Sequence, residues 1–160
     1  MWDRLLCAIG QFESDQTALG LAASVASANE SSVRVLHIRE LSKMARVIPL
    51  ETPDQAEELV RDAVDSLRML GIAAAGRSCS ALEDHVARRI VDEARLWESQ
   101  AIILGSRRLR GIDRLSGRGV RERILRASLL PVLVGPRADG IYRSPMLRRD
   151  RDQPANTSGS

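Results

Sequence analysis

One segment of the sequence has the composition of an anion-binding loop. Residues 105–120 read GSRRLRGIDRLSGRGV, and residues 107–126 hold eight arginines against Asp113 and Glu122, a net charge of +6. Glycine lets the backbone approach a phosphate closely, and guanidinium groups bind phosphate in a bidentate manner. A helix beginning after Gly119 would add free N–H groups and its dipole. The segment predicts an anion or nucleotide site, with a solvated basic surface or a protein-docking surface as the alternative.

The other side chains that could do chemistry are few and scattered. Cys7 and Cys79 form no Cys-x-x-Cys pair, and with His37 and His85 they are too few for a zinc cluster. We expect Cys7 to be a buried, inert thiol, and Cys79 to be either inert or partly exposed and redox-active. His37, at a strand end, is expected to be structural, and His85 to lie on the surface. With no nucleophile motif and no paired carboxylates, the sequence predicts no catalytic residue and no metal site.

The pattern of apolar residues predicts five strands that alternate with four helices. The predicted strands cover residues 5–9, 33–38, 72–78, 101–104 and 131–134; the predicted helices cover about 14–28, 53–70, 83–97 and 120–127; residues 39–53 are predicted to be a loop. Thr52, Pro53 and Gln55 form a capping-box pattern, and Gly71 is placed to end the helix that follows them. The alternation indicates a mostly parallel α/β sheet with helices on both faces. Pro131 favours an edge position for the last strand, because proline cannot donate a ladder hydrogen bond.

Length and composition fit one globular domain with an aliphatic core. The chain has 160 residues, of which 44% are hydrophobic, 28% charged and only 2% aromatic. The scarcity of aromatic rings disfavours a base-stacking nucleic-acid platform. Neither a secretory signal nor an apolar run long enough for a membrane helix is evident, so we expect a cytoplasmic protein without membrane contact. The domain is expected to span residues 1–135, followed by a disordered, arginine-containing tail over 136–160.

Four blocks of sequence resemble the universal stress proteins of the UspA type. They read LLCAI at 5–9, VLHI at 35–38, AIILGSR at 101–107 and V-x3-ILR-x-S-x2-PVLV at 120–134, so the resemblance covers almost all of residues 3–135. It implies a single Rossmann-like domain, of the adenine-nucleotide alpha-hydrolase-like kind, with a five-stranded sheet. It also implies a homodimer that pairs across the last strand, between Pro131 and Val134.

The resemblance also implies a nucleotide site with an altered signature. Many members of the family bind ATP through a Gly-x2-Gly-x9-Gly-Ser/Thr motif. Here Gly105 keeps the first glycine, Arg108 and Arg118 replace the other two, Gly119 stands at the Ser/Thr position, and Gly10 stands where the family has aspartate. The arginines either block the phosphate cradle or rebuild it as a different anion site. The candidate nucleotide-binding residues are Ile9, Gly10, Ile38, Gly105, Ser106, Arg108, Arg118, Gly119 and Val120.

Three functions follow as expectations. The first is a non-catalytic homodimeric regulator or adapter in a cytoplasmic stress response, with an unidentified protein partner and no required cofactor. The second is an adenine-nucleotide switch of the same fold, which holds ATP or ADP and hydrolyses it slowly if at all. The third is an anion- or RNA-binding surface on the arginine cluster of residues 107–126, although a nucleic-acid groove is disfavoured without a continuous basic stripe.

Overall fold

The computed structural model describes residues 2–10, 13–41, 51–106 and 119–136. The strands are β1 Arg4–Ile9, β2 Ser32–Leu41, β3 Ala74–Leu82, β4 Ala101–Leu104 and β5 Val132–Val134. The helices are α1 Glu13–Asn29, α2 Pro53–Met69, α3 Val86–Leu96, which follows a 3-10 turn at Glu83–His85, and α4 Val120–Ala127. The sheet has the order β3-β2-β1-β4-β5, and all four pairings are parallel. This arrangement confirms the predicted α/β fold.

Helix α2 begins and ends where the sequence predicts. The Thr52 hydroxyl accepts a hydrogen bond from the Gln55 N–H at 3.2 Å, and the Gln55 side chain accepts one from the Thr52 N–H at 2.9 Å. Pro53 occupies the first turn, where a missing N–H costs nothing. Gly71 follows the helix with φ of +79°, a left-handed conformation that glycine adopts without strain.

The sheet is covered on both faces, and each face has its own apolar core. On one face, alanines of α1 and the apolar side of α2 pack against Leu5, Val33 and Ile103. On the other face, α3 and Ile124 of α4 pack against Leu6, Leu36 and Ile102. These aliphatic strand residues are fully buried, and burial of this kind supplies most of the stabilisation of such a fold.

Several predicted boundaries are wrong by a few residues. Strand β3 covers 74–82 instead of 72–78, because its small residues carry no hydrophobic alternation and pairing with β2 sets its limits. Strand β2 continues to Leu41 along the same pairing, and the helix predicted over 83–97 starts as a 3-10 turn. Leu70, the last residue of the helix predicted over 53–70, is instead the half-exposed C-cap that follows α2. The edge position of β5 is confirmed. The predicted tail beyond residue 136 lies outside the described residues.

Candidate functional site

The carboxyl ends of β1 and β4 meet where the winding of the sheet reverses. Connections run from β1 toward β2 on one side, whereas β4 and β5 lie on the other side. Ala8 is paired with Leu104, so Ile9 and Gly10 leave β1 next to the start of the loop that follows β4. In parallel α/β sheets, ligands bind in the crevice at this position. The structure therefore places four of the candidate residues at one edge: Ile9, Gly10, Gly105 and Ser106.

Two hydrogen bonds hold Gly135 and Pro136, which follow β5, against the carboxyl end of β4. The Gly135 N–H donates to the Leu104 carbonyl oxygen at 2.8 Å, and the buried Ser106 hydroxyl donates to the Pro136 carbonyl oxygen at 2.8 Å. The Ser106 proton is thus used inside the protein. Sequence reasoning missed this role of Pro136, because a carbonyl acceptor leaves no signal in residue type.

Gly135 also brings α1 to this edge. A Cβ at position 135 would lie 2.8 Å from both the carbonyl carbon and the carbonyl oxygen of Thr17. These are backbone atoms of a helix, so they cannot yield as a flexible side chain would. Position 135 therefore requires glycine for close approach, a role that the sequence analysis did not assign.

The start of α4 is a helix N-terminus without a side-chain cap. Gly119 is the N-cap residue, and its carbonyl oxygen accepts from the Arg123 N–H at 3.1 Å, but it has no side chain to bond the first N–H groups. Val120 begins the helix and packs at the margin of the core that contains Ile124. The helix dipole and the N–H groups of the first turn suit an anion, although the Glu122 carboxylate in this turn already accepts from its own backbone N–H. The predicted contributions of Arg108 and Arg118 lie outside the described residues.

A buried histidine–glutamate pair lies on the β2 side of the same edge. His37 Nδ1 is 3.0 Å from the Ile9 carbonyl oxygen, and because a carbonyl only accepts, Nδ1 carries a proton and donates it. His37 Nε2 is 2.9 and 2.8 Å from the two carboxylate oxygens of Glu51. Both side chains are buried, and the contact joins the imidazole to the carboxylate. The pair ties the end of β1 to β2 and to the residue before the α2 cap.

These contacts fit the structural role expected for His37 and define what Ile38 can do. The Ile38 side chain belongs to the core under α3, on the face opposite His37. Only its backbone is left to contact a ligand at the edge. Glu51 was missed by the sequence analysis, since an acidic residue before a capping box looks like an ordinary solvated charge.

Arg121 and Arg123, two of the three arginines of the cluster that the structure describes, contact the protein itself. Arg121 pairs with Glu122 at 3.0 Å, and the Arg123 guanidinium donates to the carbonyl oxygens of Glu83 and Asp84. Burial raises the pKa of Glu122, but a backbone hydrogen bond and the charges of Arg121 and Arg126 outweigh it, so the pKa lies below its ordinary value. The two Arg123 hydrogen bonds hold α4 against the 3-10 turn at Glu83–His85.

The remaining residues singled out from the sequence lie where expected. Cys7 is fully buried, Cys79 is half-buried, and His85 is exposed. A hydrogen bond to Cys79 raises the pKa of the Arg89 guanidinium. Over the described ranges, no three His, Cys, Asp or Glu side chains are grouped closely enough to hold a metal ion. None of the described helices has the length and apolar character needed to cross a membrane.

Comparison with known proteins agrees with this architecture. The model of the Universal stress protein family matches residues 1–136. No curated protein sequence matches the chain. Among solved structures, a protein from the universal stress protein family of Burkholderia pseudomallei superposes with a TM-score of 0.67 at 22% identity, covering 84% of this chain and 96% of its own.

Two further structures of the same fold were solved with nucleotides. A universal stress protein in complex with cAMP has a TM-score of 0.67 at 14% identity and covers 86% of this chain and 99% of its own. The universal stress protein from Archaeoglobus fulgidus in complex with dAMP has a TM-score of 0.59 at 21% identity, with coverages of 85% and 98%. With a family model spanning the whole described domain and a shared Rossmann-like sheet, the chain belongs to the universal stress protein family.

Proposed function

We propose that this protein is a non-catalytic, homodimeric regulator or adapter in a cytoplasmic stress response. The proposal rests on one observation: the polar side chains at the carboxyl ends of the strands make their hydrogen bonds within the protein. His37 has both ring nitrogens engaged, Glu51 faces His37, and the Ser106 hydroxyl is bonded to Pro136. Gly10 offers no carboxylate to hold a metal ion or activate water. Such an edge suits recognition better than proton transfer.

The edge strand β5 supports the dimer. Ile102 N–H donates to the Pro131 carbonyl oxygen and Gly135 N–H donates to the Leu104 carbonyl oxygen, so odd-numbered residues bond β4. The N–H and C=O groups of Val132 and Val134 therefore point away from the sheet. Leu129, two residues before Pro131, and Val134 of β5 itself are exposed, with Leu129 93% accessible. An antiparallel strand from a second copy would satisfy the backbone groups and cover the apolar side chains.

Light scattering of two variants at one position tests the dimer. Val134→Pro removes an outward N–H but no bond to β4, so the domain remains folded while the pairing is lost. Val134→Ala keeps the N–H and is the matched control. We expect a dimer for the wild type and the alanine variant and a monomer for the proline variant. A wild-type monomer, or rapid ATP hydrolysis by the wild type, would contradict the proposal.

An adenine nucleotide is the second candidate, as a bound signal rather than a substrate. It is favoured by the glycines at the switch point and by the uncapped start of α4, and related structures carry cAMP and dAMP. Phosphate would lie at the Gly119 end of α4, and the base against the backbone near Ile38. In this arrangement, the residues at the altered motif positions, Arg108, Arg118 and Gly119, would decide which adenine nucleotide binds best.

Two nearly isosteric substitutions at the α4 N-cap test this site. Gly119→Asp and Gly119→Asn both cap the helix, but only aspartate repels phosphate. We expect native mass spectrometry and calorimetry with ATP, ADP and cAMP to show about tenfold weaker binding for aspartate than for asparagine. Equal affinities of the two variants would exclude a nucleotide phosphate at the start of α4. If the wild-type protein binds no nucleotide at millimolar concentration, the adapter function remains as the proposal.

A further inference from the structure

Strand β3 is the edge strand at the other side of the sheet from β5. It lacks the features that usually keep an edge strand from pairing with another chain. It is paired with β2 over all nine residues, and the described residues place no strand on its other side. Residues 74–82 contain no proline and no lysine. The one charged side chain, Arg77, is drawn to Glu93 at 3.3 Å. Edge strands commonly carry exposed lysine, proline or a bulge to prevent such association.

The hydrogen-bond pattern of β3 identifies which backbone groups face outward. The Val33 N–H donates to the Ala73 carbonyl oxygen at 2.8 Å, and in a parallel ladder every second residue bonds the same neighbour. The even-numbered residues of β3 therefore direct their N–H and C=O groups away from β2. The first of these carbonyls, at Ala74, already accepts from Arg68 Nε at 3.0 Å. The outward positions that follow are Gly76, Ser78, Ser80 and Leu82.

We propose that β3 pairs antiparallel with β3 of a second copy, about a two-fold axis at Cys79. This register sets Ser78 opposite Ser80 of the partner subunit and Gly76 opposite Leu82 of the partner subunit. It leaves out Ala74, the outward position whose carbonyl is already bonded. Every outward position from Gly76 to Leu82 then has a hydrogen-bonding partner.

Charge complementarity favours a second copy as the occupant. The Arg68 side chain of α2 lies at Ala74, the first residue of β3, whereas Glu83 and Asp84 follow the last residue of the strand. Antiparallel pairing brings the basic end of each copy to the acidic end of the other, twice per dimer. Arg77 falls opposite Ala81 of the partner subunit, whereas Arg89, which is hydrogen-bonded to Cys79, approaches the two-fold axis in both copies. A parallel strand from a copy would instead align basic with basic ends.

The register makes a distinctive prediction for Cys79. Two copies of this residue would form a non-hydrogen-bonded pair, in which the Cα atoms lie about 4.5 Å apart, within the range that a disulfide spans. A diazene oxidant such as diamide can report this geometry. Two S–H bonds break and one S–S bond forms, and the oxidant accepts the two electrons and two protons, becoming a hydrazine.

The test is diamide cross-linking of the full chain with Cys7→Ala, which leaves Cys79 as the single thiol. We expect a covalent dimer that Cys79→Ser abolishes. Moving the thiol by one residue, with Ser78→Cys in a Cys7→Ala, Cys79→Ser background, should slow cross-linking about tenfold, because position 78 pairs with position 80 in this register. Faster cross-linking at position 78 would overturn the register.

A proline substitution separates true pairing from chance collision. Ser78→Pro removes an outward N–H and no bond to β2, and Ser78→Ala is its matched control. We expect Ser78→Pro to slow cross-linking of Cys79 about tenfold while Ser78→Ala leaves it unchanged. Equal rates for the two variants, with native circular dichroism in both, would overturn the proposal.

The β3 contact is independent of the β5 dimer proposed above and weaker, so light scattering of dilute protein reports the β5 dimer alone. Val134→Pro should leave Cys79 cross-linking intact, and Ser78→Pro should leave the β5 dimer intact. Cross-linking that disappears in Val134→Pro but survives in Ser78→Pro would overturn the β3 contact. Because β3 and β5 lie at opposite edges of one sheet, copies joined alternately through both would form assemblies larger than a dimer at high concentration.

Discussion

Among the residues that the structure describes, two carboxylates are buried, and they have different partners. Glu93 on α3 is 1% exposed and accepts from Arg34 at 3.2 Å and from Arg77 at 3.3 Å. Glu51 is 6% exposed and faces His37 Nε2. Guanidinium groups keep their protons under all physiological conditions, whereas an imidazole must gain one to become a cation.

The difference matches the places of the two carboxylates in the fold. Glu93 links α3 to β2 and β3, and the Arg34 guanidinium lies over the Trp97 ring, 4.9 Å from its centroid. This cluster joins helix to sheet with permanent charges. Glu51 instead joins segments at the carboxyl edge, where the candidate ligand site lies. Arginine–carboxylate contacts thus hold the layers together, whereas a histidine–carboxylate contact holds the carboxyl edge where the candidate ligand site lies.

Removing Glu93 is expected to have the largest effect on stability. Glu93→Ala removes the acceptor shared by the partly exposed Arg34 and Arg77 and leaves a cavity at the buried Glu93 side chain, so it should lower the free energy of unfolding by about 3 kcal/mol. Glu93→Gln keeps one acceptor oxygen and the side-chain volume, so its loss should be smaller. Urea denaturation measures both. A negligible loss for Glu93→Gln would show that the charge contributes nothing, and equal losses for the two variants would show that the retained oxygen and volume contribute nothing.

Breaking the histidine–glutamate pair should cost less. His37→Ala leaves the Glu51 carboxylate buried without its partner, and we expect a loss of about 2 kcal/mol. The double variant His37→Ala, Glu51→Ala should recover part of this loss, because no unpaired charge remains. Additive losses in the double-mutant cycle would mean that the two side chains do not interact energetically.

Removing the α2 cap should weaken the interaction between His37 and Glu51 and leave the interactions of Glu93 unchanged. Thr52→Ala removes the acceptor for the Gln55 N–H, and a lost cap of this kind costs about 1 kcal/mol. Because Thr52 follows Glu51, the coupling between His37 and Glu51 should weaken in this variant, while the Glu93 coupling stays constant. Thr52→Ser is the control that preserves the cap. Equal changes in both couplings would refute local positioning.

A third, partly exposed carboxylate gives the smallest expected effect and a pH dependence. The pKa of Glu122 is lower in the folded state than its ordinary value, so its charge stabilises the fold at neutral pH. That contribution disappears as the pH falls through the folded-state pKa. Glu122→Gln should lose about 0.5 kcal/mol at neutral pH and nothing in acid. Unfolding free energies measured from neutral to acidic pH check this; a constant difference would exclude the ionic cause.

The parts of the fold that were predictable are those with a local cause. The apolar runs of β1 and β4 and the cap of α2 carry their own signals, so their positions follow from sequence. Strand β3 does not, because its small residues acquire strand geometry only by pairing with β2. The partners of Glu93 come from two strands distant in sequence, and nothing in residue type distinguishes Glu93 from a solvated helix charge.

The candidate site divides in the same way. Gly10, Gly105 and Gly119 could be predicted, because strand ends and helix starts follow from the order of elements. Glu51, Thr17 and Pro136 could not, because their roles depend on contacts made through a backbone carbonyl or across long sequence separations.

The bonds from Gly135 and Ser106 also fix the point from which the rest of the chain departs. Pro136 is held at the carboxyl edge, so the 24 residues after it begin beside the candidate ligand site rather than at a distant surface. Anything attached to them, such as a tag, a dye or a fused domain, would be tethered near that site at high effective concentration. Binding measurements are therefore better made with labels placed before β1, which starts from the opposite end of the sheet.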